Sequence, residues 1–412
     1  MANNKREPLH NQNSDRAVRD EGTDAIGAAM PADAQRPPED AQALLDCARS
    51  VCENLLGPNA QKADRAGMPL IENYRALADA GLLGIALPRS FGGLDAPGAV
   101  QRQYTEMLSS YCGVTTFVQA QHHGSSRMIA NGPNELLKQT VVPELAAGRQ
   151  MCAISFAHLR RPGLPTLVAD EVSGGYRLTG TAPWVTGWGL MNQVVFGATL
   201  SDGRFVYLWS PGNREEFSTL FDLTEPMDPE WGEMTASPPI PLCAMNSSST
   251  VALHLNKWFI PADHFLAESN RETMDRNDRN GVLGATAMPI GCATAALRVL
   301  SDVADRRPIP AIRRAAEQFT LELADARAQV EGWSARGAEP DFFLNALRIR
   351  AWCIELAVRA SHAAITSVSG SANSLDHPAQ RLMREAMFYT IQAQTREVMS
   401  ATLERLERRT GE

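Results

Sequence analysis

The feature that most constrains this 412-residue chain is a change in hydrophobic period along its length. From residue 41 to 148 apolar residues recur at helical spacing. Ala43, Leu44, Cys47, Val51 and Leu55 share one face, and Ile71, Tyr74, Leu77 and Ala78 repeat the stripe up to Gly81, a helix-ending glycine. Pro88 and Gly92-Gly93 then mark a turn. From Met151 to about Leu266 the period falls to two: residues 175–180, 194–200, 205–209 and 251–255 read as short strands, with Ser201-Asp202-Gly203 as a hairpin turn. From Gly281 the pattern is helical again, with stripes over residues 293–303, 315–330, 342–368 and 381–406. One segment cannot serve both periods, so the order predicts an α+β multidomain chain. It comprises an N-terminal helical domain (39–150), a central β-barrel or sandwich (151–267) and a C-terminal four-helix bundle (281–412). A charged linker (268–280) joins the last two, and a polar, disordered tail (1–38) precedes the first.

Charge and composition exclude several classes. A formal net charge of −8 gives no basic footprint for nucleic acid or an anionic membrane. No apolar run approaches the roughly 18 residues that cross a bilayer, and the first residues lack the apolar core of a secretory signal, so a cytoplasmic protein is expected. Seven dispersed cysteines without a CxxC pair read as reduced thiols, and they argue against a structural zinc site; no metal is expected.

Two stretches carry most of the chemistry. One contains Met151-Cys152-Ala153-Ile154-Ser155 and, after a Gly-Gly-Tyr hairpin, Trp184-Val185-Thr186-Gly187. The other is the run from Gln380 to Thr395, Gln-Arg-Leu-Met-Arg-Glu-Ala-Met-Phe-Tyr-Thr-Ile-Gln-Ala-Gln-Thr. An indole offers a large apolar face to a planar ring, and a hydroxyl beside a ring nitrogen favours charge that builds there. Two further blocks run from Leu77 to Leu94 and from Asn246-Ser-Ser-Ser-Thr to Trp258-Phe-Ile-Pro. In this order and spacing the blocks resemble the acyl-CoA dehydrogenase superfamily of flavoproteins, along nearly all of residues 41–412.

The resemblance implies a flavin, FAD, between the β-domain and the C-terminal bundle. On it, Trp184 and Val185 would face the isoalloxazine, Thr186 would donate near N5, and Ser155 would reach the ring. Arg306 would meet a flavin phosphate, and Gly370 sits in what survives of a Gly-Gly-x-Gly turn. The chain also departs from the family. Ala157 stands where a threonine would bond the flavin, and the substrate loop now carries His158, Arg160 and Arg161, a candidate anion site. The Arg-x-x-Phe-Gly turn is absent, which brings in FMN, or reduced flavin supplied by a reductase, as alternatives to bound FAD. At the position of the family's catalytic glutamate stands Ala393, flanked by Gln392 and Gln394, which could orient substrate. Alanine cannot abstract a proton; Asp275 and Asp278 lie near the alternative position for a base.

The adjacent His122 and His123 fall in the helical segment that approaches the flavin edge in this family. They could tune a flavin-bound peroxide, while adjacent helical residues diverge too far to share a metal. The expectation is a flavin-dependent oxidoreductase, narrowly an O2-using monooxygenase or oxidase. An atypical dehydrogenase of an acyl thioester and a non-catalytic flavin or acyl-CoA binding protein are the alternatives. A flavin reductase partner, and a homodimer or homotetramer built through the bundle, complete the expectation.

Overall fold

The computed structural model describes residues 40–212 and 231–407. The tail expected over 1–38 lies outside them.

Among the described residues seven α-helices come first: α1 (Ala41–Val51), α2 (Gly57–Arg65), α3 (Ile71–Asp79), α4 (Gly98–Tyr111), α5 (Gly113–Asn131), α6 (Glu135–Thr140) and α7 (Val142–Ala146). Asp40 caps α1 by accepting from the Ala43 amide, and Gly81 follows α3 at φ 70, the left-handed conformation expected of a helix-ending glycine. Asn134 caps α6 through Leu137 N and also donates to the carbonyls of Asp263 and Phe265, so the same side chain ties this domain to the β-domain.

The central strands are β1 (Cys152–Ser155), β2 (Leu167–Val172), β3 (Gly175–Val185), β4 (Gln193–Thr199), β5 (Phe205–Pro211), β6 (Glu233–Ala236), β7 (Val251–Pro261) and β8 (Phe265–Ser269). They form one mixed sheet in the order β6-β7-β3-β2-β4-β5-β8, with β1 added in parallel to β4. β4 and β5 are buried along nearly their whole length, and the turn between them is the Ser201-Asp202-Gly203 hairpin, with Gly203 at φ 86. β7 alternates instead, Val251, Leu253 and Leu255 inward with His254 and Asn256 outward, because one face of it is solvated.

The remaining α-helices among the described residues are α8 (Arg271–Gly281), α9 (Ala287–Arg306), α10 (Pro310–Ser334), α11 (Phe342–Val368), α12 (Pro378–Tyr389) and α13 (Arg396–Glu407). α9 is the axle, packed on α10, α11 and α12 and on α4 of the N-terminal domain. At Gly291 an added Cβ would lie 2.3 Å from the Glu106 carbonyl, so only glycine lets α9 and α4 approach this closely.

Three features differ from the sequence expectation. The charged run 270–280, expected as a linker, is a helix: Asn270 caps it by accepting from Thr273 N, and only Met274 is buried. Gly284–Arg306 is long and apolar enough, with a mean hydropathy of 1.2, to cross a membrane by length and composition. No such run was expected, and 67% of that window is buried, as suits the central helix of a bundle. The stripe expected over 381–406 is two helices. Ala393 at φ 50 turns the chain, and the Thr395 hydroxyl accepts from Val398 N to start α13.

Candidate functional site

β3 ends irregularly. Its register against β7 shifts between Ala182 and Val185, and a bulge of this kind re-aims the side chains beyond it. Val185 stays in the core while the neighbouring Trp184 indole is 42% exposed, an unusual position for the largest apolar side chain. The chain then turns through Gly187 and is clamped to the segment before β7: Gly187 N donates to the Ser248 carbonyl at 2.8 Å and Trp188 N to that of Ser249 at 3.1 Å. Within the clamp, three buried hydroxyls stand in a row. Ser248 Oγ lies 2.8 Å from Thr250 Oγ1, which lies 3.0 Å from Thr186 Oγ1.

Ser155 ends β1, opposite Phe196 of β4. It is buried, and its Oγ has no hydrogen-bond partner among the described residues. A buried hydroxyl in that condition carries a desolvation cost that a ligand atom would remove. The wall behind it is α5: Ser125 Oγ donates to the Cys152 carbonyl at 2.7 Å, and α5 also packs on the Asn246–Ser248 turn. One helix thus backs both the orphaned Ser155 and the hydroxyl row that ends at Thr186. An open indole face, a row of hydroxyls and an unspent buried hydroxyl fit the flavin that the sequence resemblance implies.

The two histidines are carried by this same helix. Both lie mid-helix in α5. His122 is fully buried, its Nδ1 accepts from Cys152 N at 3.4 Å, and its Nε2 has no partner among the described residues. Burial pushes His122 down to about 4; burial and its neighbour His122 push His123 down to about 3. His123 Nε2 lies 3.3 Å from the Leu82 carbonyl and 3.2 Å from Gln119 Nε2. Both rings are therefore neutral at physiological pH and committed to helix packing, which does not suit the near-neutral acid expected of them.

The loop after β1, expected to meet substrate, is likewise occupied by contacts within the chain. His158 is buried, donates from Nε2 to the Gly197 carbonyl at 3.0 Å, and is pushed down to about 4 by burial. Arg160 holds Asp278 through two bonds of 2.8 and 2.7 Å, and Arg271 of α8 donates to the Leu159 carbonyl at 2.7 Å. In this structure Arg160 is thus paired with a carboxylate rather than standing open to an anion, and that carboxylate is Asp278, one of the two candidate bases. Arg161 is exposed. Arg306 is exposed and donates to the Asp302 carbonyl, and Gly370 is exposed beyond α11. Arg307, which donates to the Ser367 carbonyl, brings these two ends of the bundle together.

Ala393 is exposed in the turn between α12 and α13. Gln394 is exposed and bonds the Thr390 carbonyl; the Gln392 carbonyl accepts from Arg350 at 2.9 Å, while Gln392 Oε1 is buried without a partner among the described residues. Sequence reasoning missed Arg350, buried to 1% exposure on α11 with two unpartnered nitrogens, and pushed down by burial to about 10. It lies inside an apolar stripe, where a single arginine reads as surface. Thr250 was also missed, though a signal was present: four consecutive hydroxyl residues, 247–250, directly before a strand.

Comparison with known proteins agrees with this architecture. The family model described as "Acyl-CoA dehydrogenase, N-terminal domain" matches residues 38–149. The probable acyl-CoA dehydrogenase YngJ of Bacillus subtilis is 22% identical over 388 residues, spanning 88% of this chain and 97% of that protein. The mitochondrial isovaleryl-CoA dehydrogenase of Solanum tuberosum is 24% identical over 373 residues, 83% of this chain and 84% of that one. Among solved structures, butyryl-CoA dehydrogenase from Megasphaera elsdenii superposes with a TM-score of 0.74 at 19% identity, covering 90% of this chain and 99% of the other. At that identity the structural likeness speaks for the fold.

Proposed function

Because this chain belongs to the acyl-CoA dehydrogenase superfamily, we propose that it is a flavin-dependent oxidoreductase that binds FAD at the end of β3 and oxidises an acyl thioester. The observation that carries the reading is the pairing of the exposed Trp184 indole with the Thr186 hydroxyl and the orphaned Ser155 Oγ. When bound, the flavin supplies a two-electron acceptor. The residues would hold it: Trp184 would cover a ring face, the Thr186 hydroxyl would lie beside a ring nitrogen, and Ser155 would spend its unpartnered hydroxyl on a polar atom of the ring. Arg306 and the exposed Arg161 are the cations in this reading for phosphate or another anion. No carboxylate stands at Ala393, and Asp278 is held by Arg160. In this reading the α-proton leaves either to Asp275, exposed on α8, or from a substrate acidic enough to need no resident base.

A second reading, an O2-using reaction with flavin reduced in place or by a reductase, is favoured by Ala393 and the altered loop after β1, and weakened because desolvation holds His122 and His123 neutral. Assembly as a homodimer or homotetramer and a cytoplasmic location belong to the same proposal. The exposed Leu344, Met399, Leu403 and Leu406 on α11 and α13 suit an oligomer.

The test is reconstitution with FAD followed by anaerobic addition of acyl thioesters. A flavin spectrum, at least tenfold weaker FAD binding in Trp184→Ala, and bleaching by a thioester support the dehydrogenase. A flavin adduct on readmitting air, with no bleaching, transfers support to the second reading. Failure to hold flavin sinks both.

A further inference from the structure

Two arginines are buried among the described residues, and their surroundings differ. Arg381, 5% exposed, has the Glu385 carboxylate. The partly buried Arg359, Arg384 and Arg405 have Glu322, Asp64 and Glu355. Arg350, at 1% the most enclosed, has no carboxylate among the described residues. Its Nη2 donates to the Gln392 carbonyl at 2.9 Å, and its Nε and Nη1 are without a partner there. Burial pushes it down to about 10, so it stays charged at neutral pH. A buried guanidinium that keeps its charge is stable beside an anion that also accepts its hydrogen bonds. One peptide oxygen brings no charge and occupies one nitrogen.

A second buried atom lacks a partner at the same place. Gln392 Oε1 belongs to the residue whose carbonyl Arg350 holds, and it has no hydrogen bond among the described residues. Nε and Nη1 are bonded to the same carbon as Nη2, so the three unpartnered atoms lie within reach of one small ligand. Rotation of the Gln392 amide about its last bond exchanges oxygen for NH2, so this side chain can donate beside the guanidinium. Such donors suit a carboxylate: the planar guanidinium fork matches its two oxygens, and the amide adds a further bond.

We propose that Arg350 and Gln392 form a carboxylate-binding subsite beneath the turn that carries Ala393.

The turn is both the way in and the part that the subsite shapes. Ile391, Ala393 and Gln394 are exposed around the half-buried Gln392. Ala393 keeps φ 50, a left-handed conformation that a non-glycine residue holds only where its surroundings enforce it, and Arg350 grips the carbonyl just before it. The ligand is either a free small acid or the acid end of an acyl substrate. Binding of a free acid needs no flavin, so the subsite is tested apart from the flavin reading.

The experiment uses the full chain and sodium formate, and reads the thermal unfolding midpoint beside calorimetric affinity. The wild-type midpoint should rise with formate and saturate. Arg350→Met should bind formate at least about tenfold more weakly, the loss of a charge-assisted bond. Gln392→Glu places a tethered carboxylate beside the guanidinium, so its midpoint should be higher without formate and should not respond to it. A wild-type chain indifferent to formate overturns the subsite, since water alone would then satisfy Arg350. An equal response in Arg350→Met overturns it as a general salt effect, and binding only at molar formate overturns it as an adventitious ion only. If Arg350→Met fails to fold, Gln392→Glu decides, and formate affinity there equal to wild type overturns the proposal.

Two thioesters then separate the sources. Glutaryl-CoA and pentanoyl-CoA differ by a terminal carboxylate against a methyl group. Glutaryl-CoA binding about tenfold tighter, and displaced by formate, supports the subsite as the seat of a substrate's acid end. Equal binding of the two, neither displaced by formate, supports it as the seat of a free acid. Formate binding with no affinity for either thioester supports the subsite while removing the acyl-thioester reading.

Discussion

Removal of the Glu385 carboxylate tests how the N-terminal domain is fastened to the bundle. Glu385 and Arg381 sit one turn apart on α12, 3% and 5% exposed, with Arg381 Nη1 2.6 Å from Glu385 Oε1 and Arg381 Nε 2.7 Å from Gln61 Oε1 of α2. Next to them Arg384 grips Asp64 of α2 at 2.5 and 3.1 Å. The other Glu385 oxygen has no hydrogen bond among the described residues and faces the start of α5, where a Cβ at Gly113 would come within 2.7 Å of it. Glu385→Ala would leave a buried guanidinium with one neutral partner. Breaking a buried pair in this way costs about 3–5 kcal/mol. A unit charge pair about 4 Å apart at an effective dielectric of about 20 is worth ~4 kcal/mol, the same order. Asp64 lies close enough to soften the loss, so the lower end, about 3 kcal/mol, is expected. Hydrogen exchange of the peptide covering α12, read by mass spectrometry, should accelerate about a hundredfold, since about 1.4 kcal/mol is a factor of ten in the opening equilibrium. The double variant Arg381→Met with Glu385→Leu removes both charges and should exchange within tenfold of wild type. An acceleration under threefold in Glu385→Ala would refute the reasoning, because the guanidinium would then have found water or another partner.

Two further outcomes follow. His122 has a folded pKa near 4, below its ordinary 6.5, so the folded state binds fewer protons than the unfolded one between those values. Its contribution is complete above pH 6.5 and is lost as the pH falls toward 4, about 3 kcal/mol in all. The urea midpoint of His122→Gln should accordingly vary less over that window than that of wild type, and equal slopes would discard the assignment. For the tie between the loop after β1 and α8, a double-mutant cycle on Arg160→Gln and Asp278→Asn should give a coupling of about 1 kcal/mol, reduced because the pair is partly exposed. Each single variant should also become more sensitive to proteolysis at residues 156–166.

The periodicities by themselves determined the helical, β, helical order, because whether a side chain is buried every second residue or every third and fourth depends only on local backbone geometry. They also determined the Gly81 cap and the Gly203 hairpin, where one residue's allowed φ decides the turn. The candidate ligand face was half legible, since Trp184-Val185-Thr186 is one contiguous run. Only the tertiary structure decided what these residues do together. Thr186 meets Thr250 across 64 positions, and Arg160 meets Asp278 across 118, so neither partnership leaves a trace in local spacing. The same holds for the histidine pair: its residue type suggests a titrating site, but burial against Cys152 and Leu82 sets its charge. A charge state is a property of the surroundings, and the surroundings here come from parts of the chain that only folding brings together.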